Sequence, residues 1–267
     1  MEKLAIISDI HGNKSALEEV LKDIKRRNIE KIICLGDLVV KGVHPEDVVD
    51  LVQKNCFVTL MGNCDYLISR EDIKKGKYWT TDKLNKNQLE YLRNLPYFYD
   101  MYISGYLVRF YHASPYGIDK IFNPIYVNKK GEEGYDRVIT DYEMMFDNTE
   151  LFGNKDEIKR PDIICYGHIH TPNLFRYKNK MIFNVGSVGN STEMLNEHKY
   201  LDETSKFSTV ASYGIISGDL NSKNFNMIDI NIVRIPYNVE KELEALEKSD
   251  MKSKDDSIKV LKSASTK

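Results

Sequence analysis

Short apolar runs alternate with amphipathic segments in the first quarter of the chain. Residues 4–7 form a continuous apolar run, which is typical of a strand buried on both faces. Residues 13–27 place their apolar side chains on one face of a helix, and Asn13 is positioned to cap its N-terminus. The alternation continues with a predicted strand over 31–35, a helix over 45–53 and a strand over 56–61. This β-α-β-α-β order predicts a mostly parallel sheet with helices packed on it.

Strands dominate the rest of the chain, and most of them pair as hairpins. The predicted elements are a helix over 80–92, a hairpin of 97–103 with 106–111, a helix near 136–146, a strand over 163–166, a hairpin of 174–177 with 181–185, antiparallel strands over 209–217 and 226–235, and a helix over 239–247. Two strand-rich halves predict an α/β fold in four layers, a ββ-sandwich of mixed sheets flanked by helices.

Two segments depart from this alternation. Residues 116–160 are polar and aromatic over a length unusual for a loop, which indicates an insert that is functional or mobile and could cover a substrate. From Ser249 onward the chain is rich in lysine and serine, which predicts a flexible, frayed end. We therefore predict one domain over residues 1–235 that contains the insert, followed by a C-terminal helix and flexible tail over 236–267.

Side chains able to bind a metal ion follow the predicted strands, at the points where the strands end. The seven residues are Asp9, His11, Asp37, Asn63, His112, His168 and His170. Each has an ordinary alternative when taken alone, such as a core histidine for His112 or a turn residue for Asn63. Because loops at strand ends can converge on one edge of a sheet, we expect these side chains to meet. Carboxylate, amide and imidazole ligands in this mixture suit a pair of divalent transition metals.

Asp37 is the residue most suited to join two ions, because a carboxylate can offer one oxygen to each. In an extended segment, Asp9-x-His11 and His168-x-His170 would each project both side chains from one side of the chain. Two ions favour in-line attack on phosphorus by a hydroxide that bridges them, and Asp37, Asn63 and His112 are assigned to catalysis around it. With Asp37 shared, Asp9, His11, Asp37 and His170 would hold one ion, and Asp37, Asn63, His112 and His168 would hold the other.

The composition narrows the classes of partner. The formal net charge of −2 over 267 residues gives no global attraction to nucleic acid or anionic lipid, so we expect no stable nucleic-acid complex. No apolar run approaches the ~20 residues that span a bilayer, and the first residues do not resemble a secretory signal. The four cysteines form no C-x-x-C pair, which favours a reducing, cytoplasmic setting. The sequence does not indicate an oligomeric state.

Five motifs occur in order along the chain, each behind a predicted strand. They are Asp9-x-His11, Gly36-Asp37, Gly62-Asn63, His112-Ala113-Ser114-Pro115 and Gly167-His168-x-His170. Together they resemble the calcineurin-like metallophosphoesterase superfamily over roughly residues 1–235. Residues 184–189 also resemble the loop that follows the last ligands in bacterial and archaeal members. The resemblance implies the ββ-sandwich with flanking helices, and it implies the two metal shells given above.

One position departs from the pattern of many members. They carry a histidine directly after the motif asparagine, where it contacts phosphate and helps the leaving group depart. This chain has Cys64 there, in Gly62-Asn63-Cys64-Asp65, which resembles a subgroup of small prokaryotic phosphodiesterases. General acid assistance contributes about 10²–10⁴-fold to a rate. Its absence predicts a bias toward activated esters, phosphodiesters or nucleotide anhydrides over alkyl monoesters.

The expected function is therefore a dinuclear-metal-dependent phosphoesterase that hydrolyses phosphodiester or nucleotide phosphoanhydride bonds in a small phosphoester or nucleotide. Manganese is the first candidate for both ions, and iron, zinc, cobalt and nickel accept the same ligands. The first alternative is a Ser/Thr protein phosphatase or phosphomonoesterase, and an asymmetric dinucleoside polyphosphate hydrolase stays open. A non-catalytic metal-binding scaffold is the alternative from another class.

Overall fold

The computed structural model describes residues 1–73, 76–125, 138–149, 151, 159–192 and 208–265 of the chain. The elements in chain order are β1 (Glu2–Ile7), α1 (Lys14–Arg26), β2 (Lys31–Cys34), α2 (Pro45–Asn55), β3 (Val58–Thr59), α3 (Asn63–Ser69), α4 (Trp79–Lys83), α5 (Lys86–Arg93), β4 (Phe98–Ile103), β5 (Tyr106–Tyr111), β6 (Ile121–Phe122), β7 (Val138–Ile139), β8 (Ile163–Tyr166), β9 (Asn173–Tyr177), β10 (Lys180–Asn184), β11 (Val210–Gly218), β12 (Asp229–Pro236), α6 (Val239–Lys248) and α7 (Lys254–Ser265). A 3₁₀ turn over Glu143–Phe146 follows β7.

Two five-stranded mixed sheets form the centre of the molecule. The first has the order β12-β11-β1-β2-β3, with β1, β2 and β3 parallel and β11 antiparallel to both neighbours. The second has the order β4-β5-β8-β10-β9, with β5, β8 and β10 parallel between antiparallel edge strands. The α/β sandwich of mixed sheets that the sequence predicts is therefore confirmed.

Strand β1 shows how the sequence builds the layers. Leu4 and Ile6 pack between the two sheets, against residues of the second sheet such as Phe110. Ala5 and Ile7 point the other way, into a core shared with α1 and α2. Successive residues of a strand face opposite sides, so a strand covered on both sides needs a continuous apolar run. This requirement explains the unbroken apolar pattern of residues 4–7.

The outer face of the second sheet is covered differently from that of the first. There the described cover consists of β6, β7 and the 3₁₀ turn, whose Phe122, Ile139 and Phe146 pack against the sheet. The predicted helix near 136–146 is thus wrong for the part that the structure describes. Val138 and Ile139 are β-branched and pair with β6 as a strand, because β-branched side chains favour that conformation over a helix. Residues 136–137, with 126–135, 150 and 152–158 of the predicted insert, lie outside the described residues.

Two further predictions of local structure need correction. The predicted helix over 80–92 is two helices, α4 and α5, because Asn85 begins a new helix. Its side chain accepts from the N–H of Gln88, whose own side chain accepts from the N–H of Asn85. The predicted flexible tail is a helix over residues 254–265, in which Ile258 and Leu261 pack against α6. These two apolar residues stand three positions apart among lysines and serines, which is why composition alone indicated a frayed end.

None of the helices that the structure describes is long and apolar enough to cross a membrane. The division of the chain at residue 235 stays a prediction.

A buried carboxylate ties α1 to the first sheet and gives a pH-dependent prediction. Asp23 accepts hydrogen bonds at 2.7 Å from both Arg27 Nε and Tyr213 Oη, and it also pairs with Arg26. Burial alone would raise the pKa of Asp23, but the bonds from Arg27, Tyr213 and Arg26 outweigh it and hold that pKa below its ordinary value. Such a carboxylate stabilises the fold fully at neutral pH, and its contribution disappears as the pH falls through the ordinary value of about 3.9 toward the folded pKa.

We therefore expect Asp23→Asn to lower the free energy of unfolding by about 1–2 kcal/mol at pH 7, a value reduced by the solvent exposure of both arginines. The difference from the wild type should shrink below about pH 4. Urea unfolding at pH 7 and pH 3.5 measures this. Glu19→Gln, which removes an exposed ion pair with Lys22 on the same helix, is the matched control and should change stability by less than about 0.5 kcal/mol. An Asp23→Asn effect of equal size at both pH values would contradict the assignment.

Candidate active site

Loops at the ends of five parallel strands converge at one edge of the sandwich. Asp9 and His11 follow β1, Asp37 follows β2 and Asn63 follows β3, whereas His112 follows β5 and His168 with His170 follow β8. Backbone hydrogen bonds join neighbouring loops, such as Asp9 N–H to the Gly36 carbonyl at 2.9 Å and Gly167 N–H to the His112 carbonyl at 2.8 Å. The two sheets are joined here because the His168 N–H donates to Asp9 Oδ2 at 2.9 Å. The structure therefore brings all seven predicted residues together.

The first group of side chains consists of Asp9, His11 and His170. The Nε2 atoms of His11 and His170 lie 3.0 Å apart, and His170 Nε2 lies 3.3 Å from Asp9 Oδ1. His11 Nε2 also lies 3.7 Å from Asp37 Oδ2. All three side chains are buried. One ligand atom from each of the three lies within 4.8 Å of the others, a spacing that a single ion can bridge.

The second group consists of Asp37, His112 and His168, with Asn63 beside it. One ligand atom from each of the first three lies within 4.8 Å of the others. His112 Nε2 lies 3.1 Å from Asn63 Oδ1 and 3.6 Å from Asp37 Oδ1. Asp37 thus turns one carboxylate oxygen toward each group, which is the arrangement that the sequence predicts for a shared ligand.

The donor atoms fit divalent cations. Asp9 Oδ2 accepts from Ser8 Oγ and from the His168 N–H, but Asp9 Oδ1 is buried and accepts no hydrogen bond from the described residues. A buried carboxylate oxygen without a donor costs free energy unless a cation compensates it. Two imidazole nitrogens point toward this oxygen, and neutral imidazole with carboxylate is a common ligand set for transition metals.

Backbone carbonyls fix the orientation of two of the histidines. His112 Nδ1 lies 2.9 Å from the carbonyl oxygen of Leu35, and His11 Nδ1 lies 3.3 Å from that of Val39. A carbonyl oxygen can only accept, so the ring proton is on Nδ1 in both residues. In the neutral form of each ring, the lone pair of Nε2 therefore faces the centre of the cluster, as a metal ligand requires. On the other side of the site, the Asn190 amide contacts His170 Nδ1 at 3.2 Å.

Charge and burial set the protonation of the cluster. Burial lowers the pKa of His168 to about 3, with a further contribution from His112. Burial, the Lys41 ammonium and His170 hold the pKa of His11 well below its usual range, and burial with Lys41 lowers the pKa of His170. These three imidazoles are neutral near pH 7, which is the form that binds a metal. Burial also opposes charge on His112, but Asp37 and Asp9 outweigh it and raise the pKa of this imidazole.

Five of the seven residues adopt left-handed backbone conformations. The φ angles are 53° at Asp9, 52° at His11, 56° at Asp37, 67° at His168 and 61° at His170. Residues other than glycine rarely adopt this region, and such strain is concentrated at functional sites. The prediction that the Asp-x-His and His-x-His pairs are extended is therefore wrong. The chain turns at each residue, and both side chains of each pair still reach the cluster.

Asp65 supports the site and was not predicted as a functional residue. Its Oδ2 atom accepts from the N–H groups of Asp37 at 2.7 Å and Gly62 at 3.1 Å, and its Oδ1 atom accepts from the Leu38 N–H at 2.9 Å. One buried carboxylate thus holds the loop that carries Asp37 against the loop that carries Asn63. The sequence signal is an acid three residues after Gly62 in the first turn of α3, which is the capping position.

Cys64 lies inside the cluster, where the motif resemblance places it. Its Sγ atom forms a group with ligand atoms of His11 and Asp37, and its N–H donates to Asp37 Oδ1 at 2.8 Å. Burial raises the pKa of this thiol well above its usual range, and the Asp37 carboxylate raises it further. A neutral thiol is a weak hydrogen-bond donor, so Cys64 is poorly suited to replace a histidine acid.

Comparison with known proteins places this site in a family. The family model described as calcineurin-like phosphoesterase superfamily domain matches residues 2–206. The uncharacterized protein MJ0912 of Methanocaldococcus jannaschii is 30% identical over 260 residues, which cover 92% of each chain. The chain belongs to the calcineurin-like phosphoesterase superfamily.

Solved structures show the same fold across nearly the whole length. A metallophosphoesterase from Sphaerobacter thermophilus superposes with a TM-score of 0.64 at 20% identity, over 98% of this chain and 99% of that one. The hypothetical protein PH1004 of Pyrococcus horikoshii OT3 gives a TM-score of 0.69 at 17% identity, over 98% of each chain. Family membership supports a hydrolase that acts on phosphoesters, and the candidate ligand groups are those expected of a metal-dependent family.

Proposed function

We propose that this protein hydrolyses phosphodiester or nucleotide phosphoanhydride bonds and depends on two divalent metal ions. The observation that carries the proposal is the position of Asp37 between the two ligand groups. Its Oδ2 atom lies 3.7 Å from His11 Nε2, and its Oδ1 atom lies 3.6 Å from His112 Nε2. A carboxylate shared in this way supports a two-ion site, which is typical of enzymes that cleave bonds at phosphorus.

The residues divide between the two ions as their distances suggest. Asp9, His11, Asp37 and His170 would hold one ion, and Asp37, Asn63, His112 and His168 would hold the other. Manganese is the first candidate for both, with iron, zinc, cobalt or nickel compatible with the same ligands. When bound, such ions lower the pKa of water to near neutrality and neutralise the charge that develops on the phosphoryl oxygens.

The chain itself adds positive charge next to this centre. Lys41 Nζ lies 3.2 Å from His11 Nε2, on a loop in which Val40 and Lys41 are both left-handed with φ of 72°. The loop is held because the Gly42 N–H donates to the His11 carbonyl at 2.7 Å. An ammonium fixed at the edge of the cluster attracts an anionic phosphate and can remain in contact with its oxygens.

A panel of substrates tests the proposal. The protein is stripped with a chelator, reconstituted with Mn²⁺ and assayed on bis(p-nitrophenyl) phosphate, p-nitrophenyl phosphate, a dinucleoside tetraphosphate and a phosphopeptide. We expect kcat/KM to be highest for the diester or the tetraphosphate, and activity to disappear without metal. Preference for the phosphopeptide or the monoester would instead support a protein phosphatase or phosphomonoesterase.

The position of Cys64 predicts how the rate depends on the leaving group. Without a nearby acid, the wild type should cleave p-nitrophenyl esters far faster than alkyl monoesters such as glycerol phosphate. We expect Cys64→His to raise kcat/KM for the alkyl monoester by at least about tenfold, because general acid help contributes 10²–10⁴-fold where it is well placed. The rate on p-nitrophenyl esters should change little, since that leaving group needs no proton.

The matched control is Cys64→Ala, which removes the thiol without supplying an acid. This control should leave the ratio of alkyl to p-nitrophenyl activity unchanged. If Cys64→His also leaves the ratio unchanged while the variant retains its metal, the leaving-group bias does not come from this position.

A further inference from the structure

A cavity of about 290 Å³ adjoins the candidate active site. One side is formed by residues of the site and its supports, and the opposite side by the two C-terminal helices, α6 and α7. Its volume lies just below the about 300–1,000 Å³ that small-molecule pockets span, which suits one organic group rather than two. The lining that matters here comprises His11 and Asn190 on the metal side, and Glu242, Leu246, Val260 and Leu261 on the helices.

The helical wall of this cavity is attached to the loop that carries Lys41. Ser257 Oγ of α7 donates to the Lys41 carbonyl at 2.7 Å. Trp79 Nε1 donates to Asp250 Oδ1 at 2.7 Å, which fastens the turn between α6 and α7 to α4. Buried Leu246 and Leu261 pack together in the small core between the two helices. The cavity is therefore bounded by ordered elements on both sides.

Glu242 is the unusual group in this cavity. Only 1% of its surface is exposed, and neither carboxylate oxygen has a hydrogen-bond partner among the described residues. The hydroxyl and the N–H of Ser15, in the first turn of α1, lower the pKa of Glu242, but burial outweighs both and raises that pKa to about 7. A buried carboxyl group without a partner costs free energy, so its retention beside an active-site cavity indicates an acceptor for something that binds there.

We propose that this cavity binds the alcohol portion of a phosphodiester substrate, and that Glu242 accepts a hydrogen bond from an N–H or O–H group of a nucleoside. This inference rests on the proposed phosphodiesterase function, since the phosphate would lie at the metal-ligand cluster where the cavity meets His11. Leu246, Val260 and Leu261 give the apolar contact, and Glu242 gives the polar contact that fixes orientation, a division typical of small-molecule sites. Glu242 is thus a specificity-determining residue that does not touch the reacting atoms.

The test compares phosphodiesters that have the same leaving group and the same charge. In the p-nitrophenyl ester of thymidine 5′-monophosphate, the portion that would enter the cavity is a nucleoside with hydrogen-bond donors. In phenyl p-nitrophenyl phosphate, that portion is a phenyl group without any. We expect the Mn²⁺-loaded wild type to show at least about tenfold higher kcat/KM on the thymidine ester. Glu242→Met, which keeps the size of the side chain, should lower that preference about 10–100-fold, the range for a hydrogen bond to a charged group, and leave the phenyl ester unaffected.

Controls separate this role from a purely structural one. Glu244→Met, at an exposed position of the same helix, should leave kcat/KM unchanged for both esters. An equal loss on both esters with a lower melting temperature would show that Glu242 only supports the N-terminus of α1, and would overturn the inference. Hydrolysis of both esters by the wild type at equal kcat/KM would overturn it and leave the phosphodiesterase function standing, whereas hydrolysis of neither would overturn both.

A third ester tests whether the group that donates to Glu242 must belong to a nucleoside. The p-nitrophenyl phosphodiester of ethanolamine carries an ammonium but no base or sugar. A preference for this ester that Glu242→Met abolishes would support the acceptor role of Glu242 and would overturn the assignment of a nucleoside.

Discussion

Asp37→Asn is expected to lower kcat/KM for a phosphodiester by at least about 10³-fold, since metal ions contribute several kcal/mol to such reactions and each 1.36 kcal/mol is a factor of ten. An amide offers one oxygen where the carboxylate offers two, and it carries no charge. The substitution therefore weakens both ligand groups together, unlike the loss of any ligand that belongs to one group alone. Steady-state kinetics with bis(p-nitrophenyl) phosphate across a Mn²⁺ titration measures the effect.

Asp47→Asn is the matched control, because Asp47 is a partly exposed aspartate in α2 that pairs with Lys14. Its kinetics should equal those of the wild type. If the Asp37→Asn variant keeps full activity and an unchanged melting temperature, Asp37 is not the shared ligand.

Gly62→Ala is expected to lower kcat/KM at least about 10²-fold with little change in secondary structure. The backbone at Gly62 is extended, with φ of −92° and ψ of 166°, so alanine meets no conformational strain there. A Cβ atom at this position would lie 2.2 Å from both the backbone nitrogen and Oδ1 of Asp37. The carboxylate must therefore move, and a displacement of about 1 Å in an active site can cost 10²-fold. Kinetics together with circular dichroism measure the two parts of this expectation.

Gly76→Ala is the control for an added Cβ that meets no neighbour, because no atom lies within 4 Å of a Cβ built at Gly76. The φ of 84° there strains alanine, so this control is expected to lose some stability. It should leave kcat/KM unchanged. Wild-type activity in Gly62→Ala would mean that the close approach of Gly62 to Asp37 has no part in positioning the carboxylate.

The sequence indicates the seven clustered residues because each follows a strand, and strands impose a clear hydrophobic pattern. Parallel strands end at the same edge of a sheet, so polar residues at those ends are brought together whatever the exact loop conformation. Asp9 and His168 follow strands of different sheets, and the His168 N–H still reaches Asp9 Oδ2 at 2.9 Å because both strands end at this edge. The assignment of these residues as metal ligands stays a proposal.

The local conformation of the site could not be predicted in the same way. Left-handed backbone at Asp9 and His170 is imposed by tertiary contacts. Aspartate and histidine adopt this region more often than most residues, but residue type alone does not indicate which copies do so. The role of Asp65 depends on three backbone N–H groups from two loops, which the linear order does not reveal. Sequence periodicity reports the burial of side chains, whereas these features depend on where separate loops meet.

The C-terminal helix shows a second reason for failure. Few apolar residues were available in residues 254–265 to produce a periodic signal, and Leu261 is buried only because α6 presents Leu243 and Leu246 to it. The same docking creates the cavity beside the candidate active site. Short segments that fold against a partner helix are therefore poorly predicted, even where they contribute to a binding site.

Electron paramagnetic resonance of the Mn²⁺-loaded protein, combined with metal analysis, tests most directly whether two ions share Asp37. Ions about 3.5–4 Å apart in one site couple magnetically. We expect two Mn²⁺ per chain and a spectrum of exchange-coupled ions in the wild type, with the coupling lost in Asp37→Asn and kept in Asp47→Asn. A single bound ion, or two ions without coupling, would contradict the shared site, and a chain that binds no metal would favour a non-catalytic scaffold instead.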